Sequence, residues 1–130
     1  MCEYSISDSL RIEARYKAFK KFVDPSFIVI IKDEFGLEVA RFSTMPISGF
    51  EIRDLHEVGC VSLTLKNLPL VSGKYFLDFG FARTHVEWFF NLERIIELRV
   101  HERDVYESGM LMDRTRGLII VDHVWDHSAL

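Results

Sequence analysis

Strict alternation of apolar and charged side chains is the feature that most constrains this chain. Residues 10–18 read LRIEARYKA, in which every second side chain from Leu10 to Ala18 is apolar and those between are charged. Successive side chains of a β-strand point to opposite faces, so this pattern predicts a strand with one face on a core and the other in water. Residues 58–65 alternate in the same way. Several such segments have to pair into sheets and bury their apolar faces together.

Turn signals separate further predicted strands. Asp24-Pro25 ends the first, and residues 27–31 form a continuous apolar run, which predicts a strand covered on both faces or one whose outer face meets a partner. The turn 33–36 ends on Gly36 and leads into a short strand over 37–42, which makes a hairpin. Residues 43–57 carry Pro46 and Gly49 and predict a loop.

The stretch LPLVSGKYFLDFGF, residues 68–81, predicts the closed end of a sandwich. Leu68 and Leu70 plug the core, Ser72-Gly73 turns the chain, and Tyr75 opens a strand with its hydroxyl on nearby backbone, as in a tyrosine corner. One row of this strand is expected to face the core (Tyr75, Leu77, Phe79 and Phe81). The other row is expected to face outward (Phe76, Asp78, Gly80 and Ala82).

The later part of the chain contains an aromatic cluster and two further apolar segments. Trp88, Phe89 and Phe90 are consecutive, so they fit core filler under a loop, a subunit contact or a stacking surface for sugar rings. Residues 95–100 and 118–125 predict two closing strands. The total is seven or eight strands, which predicts an all-β fold, an immunoglobulin-like or jelly-roll-like antiparallel β-sandwich of two sheets. One domain is expected over 1–130, with residues 1–7 and 126–130 frayed.

Composition excludes several classes of function. With 16 basic and 20 acidic residues the net charge is −4, which argues against a nucleic-acid partner. No apolar run approaches the ~20 residues of a membrane span, and the two cysteines predict a reducing compartment without disulfides, so a cytoplasmic protein is expected.

His123 and His127 would lie roughly 13 Å apart on a strand, too far to share an ion. No nucleotide-binding motif or paired-carboxylate site is present, so no enzyme, cofactor or metal is expected.

Three segments in order resemble the C-terminal carbohydrate-binding domain of Wzt-type proteins, the ATP-binding subunits of ABC exporters for O-antigen polysaccharide. These segments are LRIEARYKAFKKFVDPSFIVIIKDEFGLEV, GCVSLTLKNLPLVSGKYFLDFGF, and LERIIELRV followed by RGLIIVDHVW. The resemblance covers roughly residues 8–125. It differs at Glu93, where the family usually has Asp.

This resemblance implies a non-catalytic module that reads the terminus of a lipid-linked O-antigen-type polysaccharide at the inner face of the inner membrane. It implies two partners besides the polysaccharide: the exporter's nucleotide-binding domain and a second copy of the chain, joined by exchange of the last strand. A pure dimerisation domain without a small ligand is the alternative. From the residues themselves, the outward row and the loop after it form the candidate ligand site, comprising Phe76, Asp78, Arg83, His85 and Trp88.

Overall fold

The computed structural model describes residues 2–6 and 8–129, which contain seven β-strands and one short 3-10 helix. The strands are β1 (Cys2–Ser5), β2 (Leu10–Lys17), β3 (Pro25–Asp33), β4 (Glu38–Ser43), β5 (Val58–Leu65), β6 (Gly73–Arg83) and β7 (Glu87–His101), and the helix is Arg114–Arg116. The expected frayed ends include residues 1, 7 and 130, which lie outside the described residues. No helix in the described ranges has the length and apolar character needed to cross a bilayer.

Two sheets form the sandwich that the alternation predicts. The larger sheet has the order β1-β7-β6-β3-β4, and β2 and β5 pair alone in the smaller one. β2 and β5 are antiparallel from Leu10 opposite Leu65 to Lys17 opposite Val58, with alternate side chains turned to the core as expected. β1 runs parallel to β7, an arrangement that no pattern in residues 2–5 predicted.

The core lies between the sheets and is centred on the predicted apolar strand β3. Ile31, Leu77 and Leu98 are at most 2% exposed and pack with residues of β2, β5 and the chain ends. β3 is covered on both faces, as its continuous apolar run predicted. Ile28 and Ile30 are buried with Ala82 within this chain. The expectation that these outer isoleucines offer a contact surface is therefore wrong, because the chain itself covers them.

The end of the sandwich near Leu68 is closed as the sequence predicted. Leu68, Leu70 and Val71 are buried in the core, and the Tyr75 hydroxyl donates to the Val71 carbonyl oxygen at 2.8 Å. This bond lies inside the protein, where an unpaired carbonyl costs more than it does in water.

Replacing Tyr75 with Phe is expected to lower the free energy of unfolding by about 1 kcal/mol, because the buried Val71 carbonyl loses the Tyr75 hydroxyl as a donor while the ring stays packed. Urea denaturation measures the loss. Tyr106→Phe is the matched control, since the exposed Tyr106 hydroxyl donates to Val121 at 3.1 Å and its loss exposes that carbonyl to water. Equal stability changes in the two variants would contradict the structural role of the Tyr75 hydroxyl.

Asp33 fixes the hairpin between β3 and β4 and attaches the C-terminal segment to it. Its carboxylate accepts from the amides of Phe35 and Leu37, both at 2.9 Å, and from the Arg114 guanidinium at 3.1 Å. Burial would raise the pKa of this carboxyl, but the Leu37 amide, Arg114 and the Phe35 amide outweigh it and lower the pKa below its usual 3.8.

The predicted last strand over 118–125 does not form within this chain. Only Ile119 bridges to Leu70, and the Ile120 amide donates to the Pro69 carbonyl at 2.7 Å. Beyond Ile120 the segment stays largely exposed, including Val124 at 94% and Trp125 at 87%. A strand needs a neighbouring strand edge along its length, and here the tail contacts the irregular segment that follows β5 and, through Tyr106, the one that follows β7.

Candidate functional site

An aromatic groove of about 550 Å³ opens between β2 and the inner face of β6 and β7. The smaller sheet has only two strands, so it leaves part of the five-stranded sheet uncovered at this side. The groove is lined mainly by aromatic and aliphatic residues, with three cations at its rim (Ala14, Arg15, Tyr16, Lys17, Ala18, Lys20, Phe22, Phe27, Leu55, Phe79, Phe81, Phe89, Phe90 and Leu92).

A β-bulge explains how the consecutive aromatics of β7 contribute to this groove. Phe90 lies opposite Phe81, but Trp88 lies opposite Ala82, so Phe89 is an extra residue in the ladder. The bulge turns Phe89 and Phe90 to the same face, where both rings approach Phe81, at 5.1 and 5.8 Å between centroids. Trp88 consequently lies on the opposite face of the sheet.

The rings form a continuous surface. Phe81 lies at the centre, 5.0 Å from both Phe22 and Phe27 between centroids, and Phe79 lies 6.3 Å from Phe90. Phe90 is 42% exposed and Leu92 is 50% exposed, so part of this surface faces the open groove. Exposed, concave and mostly apolar surface of this kind is typical of ligand sites.

The wall opposite these rings is held by Tyr16. Its ring lies directly over Gly59 across the β2–β5 ladder, where a Cβ would come within 2.3 Å of the ring. Its hydroxyl accepts from the His56 amide at 3.3 Å, and its ring lies 5.6 Å from Phe27. Contacts on both sides therefore fix the orientation of Tyr16 at the groove.

The site residues expected from the outward row of β6 occupy a different surface. Asp78 is 0% exposed, with Lys32 Nζ 2.7 Å from Oδ2 and the Arg94 amide donating to Oδ1 at 2.8 Å. Burial would raise the pKa of Asp78, but Lys32 and the Arg94 amide outweigh it and lower the pKa below its usual 3.8. Asp78 therefore lies in the outward row, as expected, but its carboxylate is buried and paired with groups of this chain.

Arg94 contacts both Asp78 and Phe76, and together with Lys32 these residues form an outer cluster on this face of the sheet. It has a left-handed backbone (φ 53°) in a second irregularity of β7, where Leu77 faces Ile96 and Phe79 faces Leu92. Its guanidinium lies over the Phe76 ring, 3.8 Å from the ring centroid. Phe76 and Asp78 thus both contact side chains or backbone of this chain on the outer face.

Trp88 fills the space beside the small outward residue Gly80 on the outer face of the sheet. Its ring lies on Gly80, where a Cβ would meet the ring at 2.3 Å. Trp88 is 45% exposed. The glycine is needed for this close approach of the chain's own tryptophan.

Arg83 and His85 lie at the β6–β7 turn. By alternation, Arg83 shares the inner face of β6 with Phe79 and Phe81, one residue pair beyond the groove. His85 is exposed in the turn with a left-handed backbone (φ 62°). The five expected site residues are therefore divided: Arg83 lies on the groove face, His85 at the turn, and Phe76, Asp78 and Trp88 on the outer face.

Sequence reasoning missed the groove itself. Alternation correctly places Tyr16, Phe79 and Phe81 in inward-facing rows, and the apolar run places Phe27 in a covered strand. The extent to which the second sheet covers these rings is not encoded in alternation. A larger cavity of about 650 Å³ near Lys74 and Arg99 has no phenyl or indole ring among the described residues that line it.

Comparison with known proteins identifies the family. The sequence model described as the Wzt C-terminal domain matches residues 3–113. No curated protein matches the sequence. A crystal structure of the C-terminal domain of Wzt superposes with a TM-score of 0.79 at 16% identity, covering 97% of this chain and 74% of that one. The structural likeness confirms the β-sandwich, and the family match, which spans most of the chain, shows that this chain belongs to the Wzt C-terminal domain family.

Proposed function

We propose that this chain is a glycan-binding module that holds the end of an O-antigen-type polysaccharide in the aromatic groove. The Wzt C-terminal domain is a non-catalytic part of an ABC exporter subunit, so family membership supports a role in O-antigen export. The observation that carries the finer proposal is the aromatic surface that packs on buried Phe81 and exposes Phe90 and Leu92 to the groove.

The groove offers the two kinds of contact that a sugar needs. The C–H faces of a pyranose are apolar and stack on aromatic rings such as Phe90. β2 pairs only with β5 among the described strands, so its other edge, at Arg15 and Lys17 beside the groove, leaves backbone N–H and C=O groups without a strand partner for sugar hydroxyls.

The groove favours binding over cleavage. Glycoside hydrolysis uses a pair of carboxylates across the scissile bond. Within the described residues, no Asp or Glu lines the groove. We therefore propose a binding module that has no enzymatic activity and acts at the cytoplasmic face of the membrane with the exporter's nucleotide-binding domain.

Phe90→Ala is expected to weaken binding of an O-antigen oligosaccharide end by about tenfold or more, because the exposed stacking ring is lost from the groove. Isothermal titration of a panel of such oligosaccharides measures the change. Trp88→Ala is the matched control, since it removes a similarly exposed aromatic from the opposite face of the same strand.

The outcome assigns the site to one face. Loss of affinity in Phe90→Ala alone supports the groove. Loss in Trp88→Ala alone would contradict the groove and place the glycan on the outer face, with Trp88, Phe76 and Asp78.

We also propose that the chain forms a homodimer by exchange of its C-terminal segment. Val124 and Trp125 are almost fully exposed, whereas the same segment is anchored at Ile120, which is 8% exposed. A second groove of about 410 Å³ lies between β4 and β5, lined by apolar residues that include Phe42, Leu63 and Leu70. Ile119 bridges to Leu70 at the end of that groove, so the partner's residues 121–125 could add to the open edge of β5 there.

A further inference from the structure

We infer that the glycan end held in the aromatic groove carries an anionic group on its terminal sugar. This inference rests on the proposed function and specifies its ligand. Three cations border the groove, Arg15 and Lys17 at the open edge of β2 and Lys20 in the loop after it, and no Asp or Glu lines it among the described residues. Such a one-sided lining stands out in a protein whose net charge is −4.

The two lysines have no ion-pair partner within the described part of the chain. Arg15 lies 3.4 Å from Glu13, and both of those side chains extend from β2. Lys17 Nζ instead lies 5.4 Å from the centroid of the Phe19 ring, and Lys20 Nζ lies 5.2 Å from that of Phe22. Their charges therefore remain available to an anion.

Lys20 also contacts the aromatic surface itself through Phe22. The Phe22 ring over which it lies contacts Phe81 and Phe89, at 5.0 and 4.9 Å between centroids. A sugar stacked on these rings would bring its substituents close to the Lys20 ammonium. Ring stacking and charge recognition are thus adjacent in one groove.

Arg83 extends the positive charge along the same face of β6. Its Nε is buried and has no hydrogen-bond partner among the described residues. Glu87 lies opposite it in the β6–β7 ladder, but the two form no ion pair within the described ranges. Phosphate and carboxylate groups each present several closely spaced oxygens that lysine and arginine side chains bind. Either group would therefore suit this end of the groove.

The test uses three simple probes: glucose 6-phosphate, glucuronate and methyl glucoside. Each is titrated into the isotope-labelled domain at low and high salt, and chemical shifts of groove residues are followed. We expect at least one of the two anionic probes to bind at least about fivefold more tightly than methyl glucoside at low salt. This difference in affinity should shrink at high salt, because salt screens the charges.

Lys20→Gln and Lys21→Gln form a matched pair of variants. Both remove one charge from the same exposed loop, but only Lys20 lines the groove. We expect Lys20→Gln to reduce the advantage of the anionic probes several-fold and Lys21→Gln to leave it nearly unchanged.

The possible outcomes distinguish failure of this inference from failure of the proposed function on which it rests. Equal binding of all three probes in the groove would overturn the anionic terminus and leave the glycan site standing. No shift of groove residues with any probe or with O-antigen oligosaccharides would overturn both. Binding of vesicles containing anionic lipid through exposed Phe19, with the sugar probes silent, would assign the lysines to a membrane surface and likewise overturn the inference.

Discussion

Asp78→Ala is expected to lower the free energy of unfolding by about 2–4 kcal/mol, because it leaves Lys32 and the Arg94 amide without their acceptor inside the outer cluster. Urea denaturation measures the loss. Glu38→Ala is the matched control: Glu38 pairs with Arg41, but both side chains are about 40% exposed, and such a surface pair contributes at most about 1 kcal/mol.

Lowering the pH should reduce the difference in the free energy of unfolding between wild type and Asp78→Ala. The folded-state pKa of Asp78 lies below its usual 3.8, so its contribution to stability is fully present above that value. The contribution is lost as the pH falls through the lower, folded pKa. A loss in Asp78→Ala no larger than that in Glu38→Ala, or one that grows in acid, would contradict the account of the cluster.

Truncation after Ile120 is expected to convert the proposed dimer into a folded monomer. The truncation keeps the Ile120 amide on Pro69 and Arg114 on Asp33, so the core remains intact while the exposed segment 121–130 is removed. Trp125→Ala alone should raise the dimer dissociation constant by about 30-fold or more, as expected for a buried interface tryptophan. Analytical ultracentrifugation gives both results.

Two results would contradict the proposed dimer formed by exchange of the C-terminal segment. A full-length chain that is monomeric at high concentration would exclude the dimer. A truncated chain that remains a dimer would show that a surface other than residues 121–130 joins the copies.

Local rules accounted for much of the fold. The alternation in β2 and β5 placed their inward residues correctly, and the Tyr75 hydroxyl found the nearby backbone that a tyrosine corner requires. The 33–36 turn formed with Gly36 in a left-handed conformation (φ 87°). These features depend on residues close together in the chain, which a sequence displays directly.

The remaining features depend on neighbours that are distant in sequence. The β7 bulge separates Trp88 from Phe89 and Phe90, and no pattern in WFF specifies it. The buried carboxylate of Asp78 is bound by the Lys32 ammonium from β3 and by the Arg94 amide from β7. The groove exists because the second sheet has too few strands to cover β6 and β7, a matter of sheet width that alternation within a strand cannot reveal.

The position of the glycan is the most direct test of the proposed function. An O-antigen oligosaccharide ending in the natural terminus would be titrated into the isotope-labelled domain, and the perturbed resonances would be mapped onto the two faces of the large sheet. The account predicts saturable shifts at Tyr16, Phe81 and Phe90 with Gly80 and Arg94 unaffected. Shifts confined to Gly80, Trp88 and Arg94, with the groove unchanged, would contradict it.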